Sequence, residues 1–315
     1  MNKQRLTFNN IGAVYVWLLI IIFFWWLEPG TFGSSDTLRV ILNDGAITGL
    51  VALSLVVPLA AGVFDLSIGG TIGVTSMVTA KLLADTSINP TTAIFVALFV
   101  ALAIGLVNAI VVVICKIDPF IGTLATSSLL GALVLIVSDN KSVASPRLLG
   151  GFARISRIKI WGITAPVLYL FVVALILWFL LEHTATGRRI YAIGFNRETA
   201  RLSGVNVDRI RFYSLITSAF IAGLAGVVLT SRISVGSPTI GPPFLLPAFA
   251  AVFVGATQIR GGRFNVLGTL IAVYLIGTGN TGLSLSGQPL WAPQVFVGLI
   301  LISAIGLTGL KRRSI

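Results

Sequence analysis

The chain has 315 residues, 56% of them apolar and only 10% charged, and its mean hydropathy is +0.99. That leaves too little polar surface to cover a water-soluble globule, so composition alone indicates a polytopic membrane protein. Lys and Arg number 22 against 10 Asp and Glu, but the cations sit at the ends of apolar runs rather than on one face; they are orienting charges of membrane loops, and no nucleic-acid partner is expected.

A hydrocarbon core of about 30 Å requires roughly 20 apolar residues per crossing helix, fewer where neighbours or bilayer thinning help. The first stretch, MNKQRLTFNNIGAVYVWLLIIIFFWWLEPG, has the charge-then-apolar order of a signal peptide. Its apolar run from Ile11 to Leu27 is longer than a signal core, however, and no A-x-A-like cleavage site follows. It reads as a retained first span with Trp25 and Trp26 as interfacial anchors. Further spans fall near 45–64, 67–84, 92–115, 119–138, 164–181, 212–231, 244–259, 265–283 and 292–310. The expectation is an all-α, polytopic integral membrane protein of about ten transmembrane helices in one domain, 1–315. The pair joined by FDLSIGG also fits one long broken helix with a re-entrant piece.

Ten crossings with both termini in the cytoplasm place fourteen cations inside and eight outside, which agrees with the positive-inside tendency. The segment Lys141 to Lys159 runs against it: five cations lie on the outer side, within the polar stretch 139–163. Gly-Gly pairs in DLSIGGTIG and QIRGGRFNVLG suggest a reused helix connection, a reading weighed equally against chance in a chain with 33 glycines.

Catalytic parts are scarce. The single Cys115 excludes an intrachain disulfide and, inside an apolar run, reads as a small core group. The single His183, beside Glu182 at the end of a run, cannot build a multi-histidine metal site and reads as an interfacial residue. No triad, paired carboxylates or metal cluster is in view, so no catalytic residue is expected.

The largest cytoplasmic loop, 182–211, carries the signals of a short helix. Asn196 is placed to cap it, Glu198 lies in the first turn where negative charge is favoured, and Gly204 supplies a stop. A helix of two turns does not persist alone in water, so its own bundle or a partner must hold it. A loop resting its arginines against acidic lipid headgroups is the alternative.

Here the residues bring in a family. TATGRRIYAIGFNRETARLSGVNVDRIRFYSLITSAFIAGLAGVV closely resembles the central region of the ribose, xylose and arabinose-type ABC importer permeases. VVPLAAGVFDLSIGGTIGV, GLVNAIVVVICKIDPFIGTLAT and VFVGATQIRGGRFNVLGTLIA extend the likeness over most of the chain. Departures at Gly255-Ala256 and in GPPFLLPAFA bear on which sugar is carried rather than on membership. The resemblance implies a permease in the bacterial cytoplasmic membrane, working as a homodimer or as half of a heterodimer. Its partners would be an ABC ATPase subunit and a periplasmic or extracellular sugar-binding protein. The helix from Arg197 to Ser203 would dock on the ATPase, with Arg197, Glu198 and Arg201 as charged contacts and Thr199, Ala200 and Leu202 as packed ones.

No G-x-x-x-x-G-K-[ST] phosphate cradle occurs in the chain, so ATP and Mg are expected on the partner subunit. The same absence fits an ion-gradient-coupled secondary transporter, the alternative reading. Asp65 is the one plausible intramembrane carboxylate; capping the third span, or contact with a coupling ion or substrate, would each explain it. Asn108, Asn280, Thr281 and Gln288 are the polar residues suited to a neutral cargo, or equally to helix–helix hydrogen bonds and loops.

Overall fold

The structure is a computed structural model that describes residues 12–160, 162–259 and 262–313, the side chains of 307–313 excepted. Lys3, Arg5 and Ile11, Arg260, and the side chains of Lys311 to Arg313 therefore lie outside the described residues, and with them part of the charge count used for orientation. Among the described residues the fold is all-α apart from four two-residue strands.

The first four helices are α1 (Gly12–Leu27), α2 (Ser35–Ala60), α3 (Ile68–Asp85) and α4 (Pro90–Ala109), the last running into a π-turn, Ile110–Ile114. Then come α5 (Pro119–Ser138), the short α6 (Pro146–Leu149) and α7 (Gly151–Arg157), and α8 (Ala165–His183). The remainder is α9 (Ala185–Phe195), α10 (Arg197–Leu202), α11 (Val207–Ile233), α12 (Leu245–Ala256), α13 (Val266–Leu285) and α14 (Ala292–Arg313). Strand β1 (Val143–Ala144) pairs antiparallel with β4 (Val235–Gly236), and β2 (Lys159–Ile160) with β3 (Ile163–Thr164).

Side-chain oxygens start most of these helices, satisfying amides that have no partner within the helix. Ser34 accepts from Thr37 N, Asn89 from Thr92 N, Asp118 from Phe120 N and Ile121 N, and Asn265 from Gly268 N. Proline at the first turn of α4 and α5 suits those starts, because its missing N–H is one of the amides left free there.

Among the described residues, six helices are long and apolar enough to cross a membrane: α2, α4 with its π-turn, α5, α8, α11 and α13. Gly12–Leu27, Pro242–Ala256 and Ala292–Gly306 are shorter apolar helices. Burial sorts the long ones. Helices α2, α11 and α13 are mostly buried, whereas α4, α5 and α8 keep most of their surface exposed, as helices facing lipid would. The main core gathers Ile47, Leu50, Leu53 and Leu55 of α2, Leu170 of α8, Ala222 and Ala225 of α11, and Ala250 and Ala251 of α12, all nearly inaccessible.

Several sequence expectations are corrected. Helix α2 begins at Ser35 rather than near 45, because Ser34 caps a polar first turn that a hydropathy reading discards. Helix α11 begins at Val207 rather than 212, capped by Asn206, and so carries Arg209 and Arg211 within its first turns. The stretch 139–163 is not plain loop: α6 and α7 pack Leu148, Phe152 and Ala153 into a secondary core. Cys115 is exposed, since it ends the π-turn on the surface of the bundle instead of pointing inward. His183 stacks on Phe179 and meets Trp178 edge-on at the end of α8, consistent with an interfacial residue. The first Gly-Gly pair is not a hairpin tip: Gly69 and Gly70 form the opening turn of α3, and a Cβ on Gly70 would stand 2.8 Å from Leu130 Cβ. The second pair includes Gly261, outside the described residues.

Helix α11 fixes the two ends of the bundle. Its 27 residues span about 40 Å. At its N-terminus is α10, and just beyond its C-terminus β4 pairs with β1. Near that second end Ser231 Oγ donates to Phe152 O at 2.8 Å and Arg157 to Ser234 Oγ at 3.1 Å. The basic segment 141–159 and helix α10 therefore stand at opposite ends of the molecule.

Candidate functional site

The segment 182–211 folds into two helices where the sequence suggested one. Thr184 accepts from Gly187 N to start α9, and Asn196 accepts from Thr199 N at 2.9 Å to start α10. The expected cap, the acidic first turn with Glu198, and the stop at Gly204, where φ is +80°, are all present. What the sequence did not reveal is how α9 is pinned. Tyr191 Oη donates to Phe264 O at 3.0 Å, and the Arg263 guanidinium lies 4.0 Å above the Tyr191 ring. Gly194 rides directly on the end of α2, so close that a Cβ there would be 2.1 Å from Ala60 O.

This support divides the residues expected to contact a partner into two sets. Ala200, expected as a packed contact with a partner, is buried against Ile193 and Val207 of its own chain and offers no outer surface. The reason is helical phase: Ala200 lies on the side of α10 that faces α9 and α11. Glu198, Thr199 and Leu202 are exposed. Arg197 and Arg201 both reach Asp208, at 3.4 and 3.8 Å, half-exposed pairs of small energetic weight that hold the guanidiniums over the start of α11. Two large apolar side chains flank the helix with almost no cover: Leu202 is 82% exposed and Phe195 95%. Phe195, not singled out from sequence, reads there as one more member of an apolar stretch.

Asp65 and Asn108 meet far inside. Asp65 Oδ1 accepts from Ser67 N at 3.0 Å and from Ser67 Oγ at 2.6 Å, and Asn108 Nδ2 donates to Ser67 Oγ at 2.6 Å. All three residues are fully buried, while Asp65 Oδ2, Asn108 Oδ1 and the nearby Ser218 Oγ make no hydrogen bond within the described residues. The carboxylate thus organises the turn entering α3 by the short Asx-type bond to the residue two ahead. It does not cap α3. Ser67 occupies the cap position, and its side chain makes no cap hydrogen bond to the helix.

Asn280 and Thr281 lie elsewhere, in a cleft of about 420 Å³ between α2, α13 and the turn before α12. Asp44, Thr48 and Ser284 add polar atoms to it; Phe244 and Ile276 add apolar wall. Asp44 pairs with Arg232, whose other nitrogen donates to Asn43 O at 2.9 Å, so its charge is neutralised at the rim. Asn280 Oδ1 is buried with no donor within the described residues. The volume falls in the range of about 300–1,000 Å³ typical of small-molecule sites, and hydroxyl and amide groups on apolar walls suit a neutral polyhydroxylated molecule. The cleft involves the N-terminal part of α2, at the other end from Ala60 and α9. Gln288 is exposed in the turn after α13 and belongs to neither group. Asp44, Thr48 and Ser284 were missed, although Thr281 and Ser284, three residues apart on one helix face, were the available signal. No group of three His, Cys, Asp or Glu able to hold a metal exists among the described residues.

Comparison with known proteins gives the family. Residues 37–305 match the family described as branched-chain amino acid transport system / permease component. The ribose import permease protein RbsC of Bacillus subtilis is 34% identical over 307 residues, covering 96% of this chain and 95% of that one. The D-allose transport system permease protein AlsC of Escherichia coli K12 is 31% identical, covering 96% and 92%. The autoinducer 2 import system permease protein LsrD of Photorhabdus laumondii is 28% identical, covering 94% and 92%. No solved structure matches.

Proposed function

The chain belongs to the branched-chain amino acid transport system / permease component family and is a permease subunit of an ABC importer, and we propose that it carries a monosaccharide or related polyol, driven through α10 by a separate ATPase. The observation that carries this is the exposed apolar pair Phe195, which ends α9, and Leu202, which ends α10, beside a short helix packed through Ala200 against Ile193 and Val207. Exposed Leu and Phe at the tip of a cytoplasmic element are costly unless covered, and a partner cleft covers them. Helix α10 then acts as a handle. Its pull reaches α2 through Gly194 and α11 through the four-residue turn 203–206.

In this scheme the six long helices, the three shorter apolar ones and α3 make ten spans with both ends inside. The 420 Å³ cleft is the outer part of the translocation path. The pathway proper lies between two permease copies, ATP and Mg act on the ATPase subunit, and a soluble sugar-binding protein delivers cargo at the outer face. ATP and the loaded binding protein each favour one of two conformations, and α10 moves between them as a rigid body. Asp65 and Asn108 hold the hinge entering α3 rather than line the path, being fully buried and absent from the cleft.

The test is reconstitution of this permease with its ATPase and binding protein. Replacing Leu202 with Glu should lower ATP-driven uptake at least tenfold while leaving membrane abundance and the melting temperature unchanged. Normal uptake by that variant, or accumulation by the permease alone on a proton or sodium gradient, would overturn the reading.

A further inference from the structure

A second cavity, of about 440 Å³, lies behind α10 between α9 and α11. Val57 of α2 is its floor, Arg189 of α9 stands on one wall, and Arg209 of α11 on the other. The lining includes no Asp or Glu, so two guanidiniums share it with hydroxyl and amide groups such as Thr186 and Asn206. Arg209 is steadied 5.9 Å above the Tyr213 ring, and Tyr213 also lines the cavity. Two planar cations lining one partly apolar hollow are suited to a phosphate group, which guanidinium grips with two parallel hydrogen bonds.

The walls decide which phosphate. Leu180 and Ile210 line the cavity, and from it two apolar strips run along the helices. On α8 the strip is Ile176 and Phe179, 59% and 58% exposed; on α11 it continues from Tyr213 to Phe220, 55% and 37% exposed. A free phosphate has no use for such surface, whereas an acyl chain covers it. We infer that this cavity is a binding site for one anionic glycerophospholipid, its phosphate held between Arg189 and Arg209 and a chain laid along α8 or α11. Basic pockets between spanning helices at the membrane face bind lipid headgroups in this way. Placement in the inner leaflet rests on the cytoplasmic position of α10 proposed above; the binding itself does not.

Because Gly204, Val205 and Asn206 of the turn joining α10 to α11 also line the cavity, an occupied site stiffens the root of the handle. The purified permease in neutral detergent, titrated with phosphatidylglycerol or phosphatidylcholine and followed by native mass spectrometry and thermal shift, tests this. Expected is retention of phosphatidylglycerol at least tenfold over phosphatidylcholine, with a rise in melting temperature that 10 mM inorganic phosphate neither reproduces nor removes. Arg189→Gln with Arg209→Gln should bring retention down to the phosphatidylcholine level at unchanged lipid-free stability. Arg189→Lys with Arg209→Lys, which keeps charge but loses the planar fork, should retain a reduced preference. Equal retention of both lipids by the native chain, displacement by phosphate, or an undiminished preference in the Gln variant would each overturn the inference. None of these readouts depends on ATP or sugar, so its failure and failure of the transport reading are distinguishable.

Discussion

Gly194→Ala should loosen the joint between the α9–α10 segment and the bundle. A Cβ built on Gly194 stands 2.1 Å from Ala60 O and 3.2 Å from Ala60 C, where ordinary contact begins at 3.4 Å. The obstacle is backbone at the end of a buried helix, so it does not rotate away; α9 must back off by the difference, about 1.3 Å. Overpacking of this kind costs about 1–3 kcal/mol. Alanine's better helix propensity returns up to ~1 kcal/mol, so the net effect is a modest loss of stability together with a displaced α10. ATP-driven uptake in vesicles containing the full transporter should fall several-fold, with ATP hydrolysis persisting, and the melting temperature should drop by a few degrees. Gly131→Ala, on α5 with nothing within 4 Å, is the control and should leave both unchanged or slightly improved. Wild-type uptake and stability in Gly194→Ala would refute the claim that α9 transmits force through this contact.

Ala200→Asp puts a carboxylate among Ile193 and Val207 and should cost at least ~2 kcal/mol, read as a lowered melting temperature before any partner is added. Phe195→Ala with Leu202→Ala should leave that temperature unchanged and weaken association with the ATPase subunit about tenfold or more, measured by titration in detergent. Ser67→Ala removes the hydroxyl that serves both Asp65 and Asn108 and should destabilise by about 1–3 kcal/mol in thermal unfolding. Adding Asn108→Ala should cost less than the sum of the two single changes, because both break one network. Thr281→Val should raise the sugar concentration for half-maximal uptake without altering ATP hydrolysis, as a path-lining hydroxyl requires.

The apolar helices and the short helix α10 could be read from sequence because both depend on short-range signals. Runs of apolar residues set the spans, and Asn196, Glu198 and Gly204 mark the ends of α10 by local hydrogen bonding and backbone preference alone. What could not be read depends on how distant segments meet. Ala200 looks like surface in a polar loop, and only the approach of α9 and α11 buries it. Asp65 precedes a helix and reads as its cap, yet its donors lie in the turn itself and its setting is completed by Asn108, 43 positions later. The cleft joins Thr48 to Asn280, a pairing no periodicity predicts. The early starts of α2 and α11 were lost for a simpler reason: polar first turns carry no hydropathy.

The ribbon joining Val143–Ala144 to Val235–Gly236 ties the C-terminal tip of α11 to the basic segment, while α10 adjoins its N-terminal tip. A rod anchored at both ends cannot swing at one without moving the other. A displacement imposed at that ribbon is therefore carried about 40 Å along one helix to the root of α10, with no chain of side chains needed to relay it.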